Sequence, residues 1–456
     1  MNRREFIHVT AGVAAAAAAG PQVAARVQRT GSVGANDRVR MAIIGSGGRG
    51  NQVLTSFAKA SSPNTFVAAC DVFKERLDAT VQGLSSDGTK VGGYEDYRRV
   101  LDRQDVDAVL IATPDHWHPQ LTIDAVAAGK DVYLEKPTSN AAALPTAAKA
   151  LDAVRRSNRI VQVGTQQRSW PHFADAKALL PQLGGVTHVV LQYGGPGSPA
   201  VEPVVPVPAG LNWELFQGPA PRKPYKTGRQ RQWRNYWDYG GGTVTDWGVH
   251  LVDTALWFMD AQLKAPKTAM GVGQYVNVDN PDPDRPFNAF TASWQYDSFV
   301  MSFSNGAIGN PEFPFQGTVF IGPRGSLVVN RTGYMLRPSQ AGGGGRGRAG
   351  GADAAAGASA PGRAAAAPPA PPSAAAPPVP RLEPQIVRGG PELEMVETAT
   401  TIHVTDFLNC VRTRARPVSE FQIGFFATLP CALAIRSMRE NRAFTWDAAS
   451  MSATAL

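Results

Sequence analysis

Gly45-Ser46-Gly47-Gly48-Arg49-Gly50 has the spacing Gly-x-Gly-x-x-Gly and lies between an apolar run ending at Ile44 and a stretch that reads as a helix. Glycine-rich turns are common, but a strand before and a helix after make this one a cradle for a pyrophosphate. Gly45 permits the tight turn, Gly47 lets the backbone approach the phosphates, and Gly50 allows close helix-to-strand packing. The N–H groups of the first helical turn, around Gly48 and Arg49, face the anion. About twenty residues on, a second apolar run ends in Cys70-Asp71. A carboxylate there accepts ribose hydroxyls and repels a 2′-phosphate, which favours NAD over NADP; Arg49 and Lys74 stand close enough to weaken that preference.

Three further residues have the chemistry of proton transfer at a hydroxyl. Lys136 follows the apolar run Asp131–Leu134, at the carboxyl end of an expected parallel strand, where ligands of open α/β folds bind. Asp246 and His250 are four apart in a segment that reads as one helix, Thr245–Met259, which puts both on one face. A histidine titrates near neutrality and can take a proton, while a lysine can steady an oxygen that gains charge. The same spacing also fits a buried polar pair anchoring a domain junction. His116 and His118, in Thr113-Pro114-Asp115-His116-Trp117-His118, lack a further ligand at metal spacing. They are expected in a loop beside the nicotinamide ribose, and no metal site is expected. Cys70, Cys410 and Cys431 sit among apolar neighbours and read as small buried hydrophobes.

The elements that must position these residues follow from the hydrophobic pattern. From Arg40 to about Gly164, short apolar runs alternate with helical stretches, the mark of a parallel α/β sheet. Strands are expected at Arg40–Ile44, Thr65–Cys70, Ala108–Ala112, Asp131–Leu134 and Ile160–Val163. Helices are expected at Gly50–Ala60, Lys74–Gln82, Asp96–Leu101, Pro119–Ala128 and Ala141–Ser157. Beyond Thr165 the texture becomes two-residue alternation in Val186–Tyr193, Thr268–Tyr275, Ala289–Tyr296, Phe299–Ser304, Gly317–Ile321 and Ser326–Asn330. The fold class is therefore an α/β Rossmann domain followed by an α+β domain with a large open, mostly antiparallel sheet. The domains run 1–38 (signal and linker), 39–164 (dinucleotide binding), 165–400 (substrate and oligomerisation) and 401–456 (C-terminal helices, Val404–Arg412 and Gly424–Glu440). Residues 339–381, a Gly/Arg run followed by Ala/Pro repeats, are expected as a disordered insertion, since they hold too little apolar surface to offset ordering entropy. The formal charge of +8 sits largely in residues 1–40 and 339–381, which carry +4 and +3 and leave a body near neutral. Such a body has no electrostatic footprint for nucleic acid.

Glu135-Lys136-Pro137 at a strand end, after the glycine fingerprint and Thr113-Pro114, resembles the glucose–fructose oxidoreductase/inositol dehydrogenase (Gfo/Idh/MocA) family. Gly240-Gly241-Gly242-Thr243-Val244-Thr245-Asp246-Trp247-Gly248-Val249-His250 resembles its later signature. The resemblance covers nearly the whole chain outside the signal and the 339–381 insertion. It implies hydride transfer between a nicotinamide and a secondary hydroxyl of a sugar, glycoside or cyclitol. It makes His250 the general base, Asp246 its helper and a substrate ligand, and Lys136 the lysine that binds the hydroxyl. Glu135 and Gln166 join the cofactor set. Gln167 and Arg168 are expected to face the substrate. Trp233, Arg234, Tyr236 and Trp237 either stack on the sugar or fill the core, and the sequence leaves both open.

Asn2-Arg3-Arg4-Glu5-Phe6-Ile7 and the Ala-rich run to Gly20 resemble a twin-arginine export signal, too short to span a bilayer stably. That route carries folded proteins, so the expectation is a periplasmic or extracellular enzyme exported with its dinucleotide tightly bound. A homo-oligomer through the open sheet is also expected. The alternative activity is an NAD-dependent glycoside hydrolase or lyase that oxidises the sugar transiently and returns the hydride, a closed cycle suited to a compartment without a nicotinamide pool. Against it, the family's glycosidases carry Tyr-x-x-His where this chain has Trp247 three before His250. A silent sugar-binding module is disfavoured by the survival of Lys136, Asp246 and His250.

Overall fold

Apolar segments buried on both faces pair in parallel when helices cover each side, and the first half of the chain does this. A computed structural model describes residues 38–194, 199–306, 316–339 and 382–456. The export signal expected in residues 1–37 and nearly all of the 339–381 insertion lie outside the described residues. Strands β1 (Val39–Ile44), β2 (Asn64–Cys70), β3 (Gly92–Tyr94), β4 (Ala108–Ile111), β5 (Asp131–Leu134) and β6 (Val161–Val163) form a parallel sheet ordered β3-β2-β1-β4-β5-β6. Every residue of β4 and β5 is buried. The glycine pair in β3 hides this edge strand from a hydrophobicity reading. Helices α1 (Gly48–Lys59), α2 (Lys74–Leu84), α3 (His118–Ala127) and α4 (Leu144–Arg156) connect the strands. Chain direction across the sheet reverses between β1 and β4, and the crevice at their carboxyl ends is where such folds bind ligands.

The second sheet has ten strands: β7 (His188–Tyr193), β8 (Thr268–Gln274), β9 (Ala289–Gln295), β10 (Val300–Ser304), β11 (Gln316–Gly322), β12 (Gly325–Asn330), β13 (Gly333–Pro338), β14 (Gln385–Arg388), β15 (Phe444–Asp447) and β16 (Ser452–Ala455). Their order is β14-β13-β12-β11-β7-β10-β9-β8-β15-β16, antiparallel except for the β7–β10 pair. Alternating burial in β8 and β9 gives the sheet one core face and one open face. Sequence alternation did not reveal the last four strands. Two of them form a hairpin after the helices, so residues 401–456 are not helical throughout.

Four helices carry the core and the site. The segment expected as one helix from Thr245 to Met259 is two, α5 (Gly242–Asp246) and α6 (Gly248–Phe258). They meet at Trp247, whose indole leaves the helical face to stack on Tyr193 of β7 (ring centres 4.3 Å apart, 22° between planes). Gly248 lets α6 approach β10, for a Cβ there would lie 3.0 Å from Phe303. Helix α7 (Glu392–Thr413) begins well before the expected Val404 and covers a face of the parallel sheet. There Phe407 meets Phe57 and Tyr133 edge-on. Helix α8 (Phe421–Glu440) is long and apolar enough to cross a membrane, yet 78% of its most apolar stretch is buried inside the protein, as in a core helix. A Cβ on its Gly424 would lie 2.6 Å from Val163, so α8 lies directly against β6 and joins the two sheets.

The glycine turn shows why two of its residues have no side chain. Gly45 has φ +91°, and a Cβ there would meet the backbone of Ala112 and Thr113 at 2.8 Å. At Gly50 a Cβ would meet the Gly45 carbonyl oxygen at 2.3 Å. Gly50→Ala must therefore push α1 off β1. The variant is expected to lose most dinucleotide affinity and several degrees of melting temperature, checked by calorimetric titration and thermal unfolding.

Candidate active site

A cleft of about 760 Å³, open to solvent on one side, runs along the carboxyl ends of β1, β2 and β4. Gly45, Gly47, Asp71, Thr113 and Pro114 line it, as expected for a dinucleotide site. Gly48 and Gly50 lie in the first turn of α1. Asp71 Oδ2 accepts from Ser46 N (2.8 Å) and Ser46 Oγ (3.1 Å), and Oδ1 from Phe73 N (2.9 Å). The carboxylate is thus fixed at the mouth of the turn, and Oδ1 keeps a lone pair for a ribose hydroxyl. Thr113 Oγ1 is buried with no partner among the described residues, a polar atom left for a ligand. These features fit a bound dinucleotide.

Sequence reading named only Trp233 of the far wall of this cleft. Leu211, Leu215, Phe216 and Gln230, which it missed, close the cleft with Trp233 from the other side, all from the segment between β7 and β8. Leu211 forms a bridge with Phe73, Lys74 N donates to Gly210 O (2.8 Å), and Asn212 N donates to Val72 O (2.8 Å). Trp117 lines the cleft and its Nε1 donates to Phe216 O (3.1 Å). Arg76 also lines the cleft, whereas Lys74 turns to solvent and pairs with Asp78 (2.8 Å). Arg76, not Lys74, is therefore the cation that lines the cleft with Asp71.

His116 and His118 do not face the cleft. His116 Nε2 donates to Phe216 O (3.1 Å), and the His118 ring nitrogens lie 2.5 Å and 2.9 Å from the carbonyl oxygens of Pro137 and Thr113. Burial lowers their pKa values to about 3 and about 4, and both rings are held against loop carbonyls. Among the described residues no group of three or more His, Cys, Asp or Glu is placed to hold a metal.

Next to the cleft, β5 delivers Lys136 to the corner between α5 and α6. Lys136 Nζ donates to Asp246 O (2.7 Å) and Asp246 Oδ1 (2.8 Å), and Arg234 Nε shares Oδ1 at 3.1 Å. Arg234 follows Trp233 of the cleft wall in the chain. Burial opposes the Asp246 charge, but Lys136 and Arg234 outweigh it and hold the carboxyl below its ordinary range. Two of the three Lys136 N–H groups are engaged, which leaves one for a ligand oxygen. His250 is buried on α6, its ring 6.1 Å from that of Trp247, and its Nδ1 has no partner among the described residues. Burial first, then Lys136, Arg331 and Arg49, push its pKa well below the ordinary histidine value, so the imidazole is neutral rather than poised near neutrality. Asp246 and His250 share this corner from two helices, not one.

Several expected residues stand elsewhere. Arg49 points away from the ribose, its Nη2 3.0 Å from Glu135 Oε1. Gln166 is buried with Oε1 unpartnered, and Gln167 accepts from Thr254 Oγ1 (3.2 Å). Arg168 does not face a substrate; it is buried in a bidentate pair with Asp253 of α6 (2.8–2.9 Å). Tyr236 is fully buried between the guanidinium groups of Arg229 and Arg285, 4.8 and 4.7 Å from its ring centre. It belongs to the core, as does the buried Trp237, while Trp233 alone of the aromatic set lines the cleft. Asp115 and Arg331, which carried no sequence signal, lie near the Lys136–Asp246 pair and His250 respectively.

Residues 39–165 match the model "Oxidoreductase family, NAD-binding Rossmann fold", and residues 182–298 match "Oxidoreductase family, C-terminal alpha/beta domain", together more than half of the chain. The chain belongs to the Gfo/Idh/MocA oxidoreductase family. It is 32% identical over 160 residues to a glycosyl hydrolase family 109 protein of Shewanella pealeana, covering 30% of this chain and 34% of that protein. It is 31% identical over 149 residues to inositol 2-dehydrogenase 4 of Saccharopolyspora erythraea, covering 32% of this chain and 41% of that one. The chain thus spans about a third to two fifths of the length of these curated relatives. The myo-inositol 2-dehydrogenase structure of Lactobacillus plantarum shares the fold (TM-score 0.59, 19% identity, 89% of this chain and 98% of that one).

Asp71→Ala removes the ribose acceptor and leaves Arg76 facing the same edge. NAD affinity should fall by roughly tenfold, the scale of a lost charge-assisted hydrogen bond, while NADP affinity rises. Titration with both dinucleotides checks this, and two unchanged affinities would remove Asp71 from the ribose site.

Proposed function

We propose that this Gfo/Idh/MocA protein transfers hydride between a retained NAD and a secondary hydroxyl carbon of a sugar, glycoside or cyclitol. The observation that supports this reading is the Lys136–Asp246 pair, with His250, unpartnered at Nδ1 among the described residues, on the next helix and within reach of the lysine's charge. The bound nicotinamide supplies hydride acceptance at its C4. The chain does the rest. The free Lys136 N–H holds the substrate oxygen as it gains charge, and Asp246 fixes the ammonium by two bonds. His250, neutral at working pH, takes the hydroxyl proton. Gly45, Gly47 and the first turn of α1 hold the pyrophosphate, and Asp71 the ribose.

Retention of the dinucleotide is supported by the wall of residues 210–239. It is fixed to the parallel-sheet loops by the Phe73–Leu211 bridge, by Trp117, and by Asn140 Nδ2 donating to Trp237 O (3.2 Å) and Asp238 O (3.0 Å). A retained cofactor fits export through the Arg3-Arg4 signal and equally fits the second reading, a glycoside hydrolase or lyase with a closed redox cycle. The Trp247 position argues against that reading, since its indole is spent on Tyr193 and Arg331. The open sheet face, with Met270 51% and Val272 64% exposed, supports a homo-oligomer through that sheet.

Protein purified without added nucleotide should release close to one NAD per chain when denatured; a nucleotide-free preparation that folds and binds NAD only weakly would sink retention. His250→Ala should keep that NAD yet lose turnover by about a hundredfold or more, the scale for a general base. Because the base works unprotonated and its folded pKa is depressed, kcat/KM should stay level through neutrality and fall only below about pH 6.5. A limb centred at neutrality in the wild type would remove His250 as the base. Aryl glycosides incubated without added NAD separate hydrolysis from net oxidation.

A further inference from the structure

Two arginines whose charge acts on His250 each carry a buried nitrogen that makes no aligned hydrogen bond among the described residues. Arg49 Nη2 is buried and lies 3.0 Å from Glu135 Oε1 without the alignment of a hydrogen bond. Arg331, in the turn between β12 and β13, stacks on Trp247 (4.2 Å from Cζ to the ring centre) and reaches Glu392 at 3.4 Å, and its buried Nε has no partner among the described residues. Buried guanidinium nitrogens are rarely left so, because each carries the full cost of lost hydration. Arg49 disfavours charge on Arg331, and with Lys136 the two are the charges that act most on His250.

We infer that the substrate is a polyol bearing a carboxylate, received by Arg49 and Arg331 beside Lys136. This rests on the hydride-transfer reading and narrows its substrate to hexuronate or aldonate chemistry. Guanidinium groups suit carboxylates geometrically, each offering paired donors to paired oxygens. The charge count selects a monoanion. Arg49, Lys136, Arg234 and Arg331 face the carboxylates of Glu135, Asp246 and Glu392, while burial pushes a fourth acid, Asp115, well up toward its neutral form. One positive charge is left over, which matches a carboxylate better than the charge of about −1.5 to −2 on a phosphate monoester.

The test titrates the NAD-loaded protein calorimetrically with a panel of hexuronates and aldonates, their methyl esters, the parent aldoses and the aldose 6-phosphates. At least one acid should bind tenfold or more tighter than its own ester, and Arg331→Gln and Arg49→Gln should each cut that acid's affinity by roughly ten- to a hundredfold while leaving the ester unchanged. The acid–ester comparison in the wild type stands even where a variant fails to fold. The inference falls if no acid outbinds its ester, if the 6-phosphates bind best, or if the preference persists in both variants. The absorbance of reduced nicotinamide, followed on the same samples, separates the two readings. Reduction by neutral polyols as readily as by acids overturns the carboxylate alone, whereas selective acid binding without reduction overturns hydride transfer and leaves the anion site standing.

Discussion

The ion pair of Lys136 with Asp246 is the contact on which the site's arrangement depends, because its partners come from different layers of the fold. Lys136 is placed by β5, buried at every residue and held in register between β4 and β6. Asp246 is placed by α5, whose corner with α6 is fixed by Trp247 stacking on β7. Neither side chain finds another counter-ion of this quality, and Arg234 adds only a second donor to the same oxygen. Removing Asp246 leaves the largely buried Lys136 ammonium without its carboxylate, whereas removing Lys136 leaves Asp246, 30% exposed, with Arg234 alone. The pair therefore demands that the two sheets be docked. Packing of α8 against β6, with no side chain at Gly424 to hold them apart, supplies much of that docking.

The same docking builds the dinucleotide cleft. One wall is the glycine turn and Asp71, local features of the first sheet. The other wall is the segment around Leu211, Leu215 and Phe216, which arrives through backbone hydrogen bonds rather than through side chains with recognisable chemistry. A buried ionic lattice holds that segment in shape: Arg229 pairs with Asp238 and Asp284, Arg285 with Glu202, and Lys226 with Asp282. Such lattices add little net stability over apolar packing, but they punish any arrangement that separates the partners. A wall defined by unique ionic partners is a wall in one position.

This division explains what was legible in the sequence. Period-two and period-3.6 patterns placed the parallel strands β1, β2, β4, β5 and β6 and the central antiparallel strands, because their apolar faces repeat. The edge strands β3, β14 and β16 have no such face and were invisible. Gly45, Asp71, Lys136, Asp246 and His250 could be named as candidates because they sit in local motifs. Arg168 and Tyr236 were misplaced because an arginine or tyrosine looks the same in sequence whether it meets a ligand or a buried counter-ion. Arg331 was missed for the converse reason. It lies 81 positions beyond His250 in a turn of no special composition, and only the packing of α6 on β7 and β11 of the same sheet brings it within reach of the histidine.

The surroundings of His250 set a condition on any chemistry it performs. An imidazole ringed by Lys136, Arg331 and Arg49 is always available as a base, but it is a weak one, since protonating it adds a charge to a region already positive. A weak base removes a hydroxyl proton efficiently only if the hydroxyl is made more acidic, and the free N–H of Lys136 is placed to do this by stabilising the oxygen as it becomes an alkoxide. The proton gained must then leave or be balanced. A negative charge brought between the two arginines would offset it at the moment of transfer and would be absent in the empty site. Binding of the reactant and arming of the base would then be one event, and a neutral polyol that fitted the cleft would find the lysine in place but the base still suppressed.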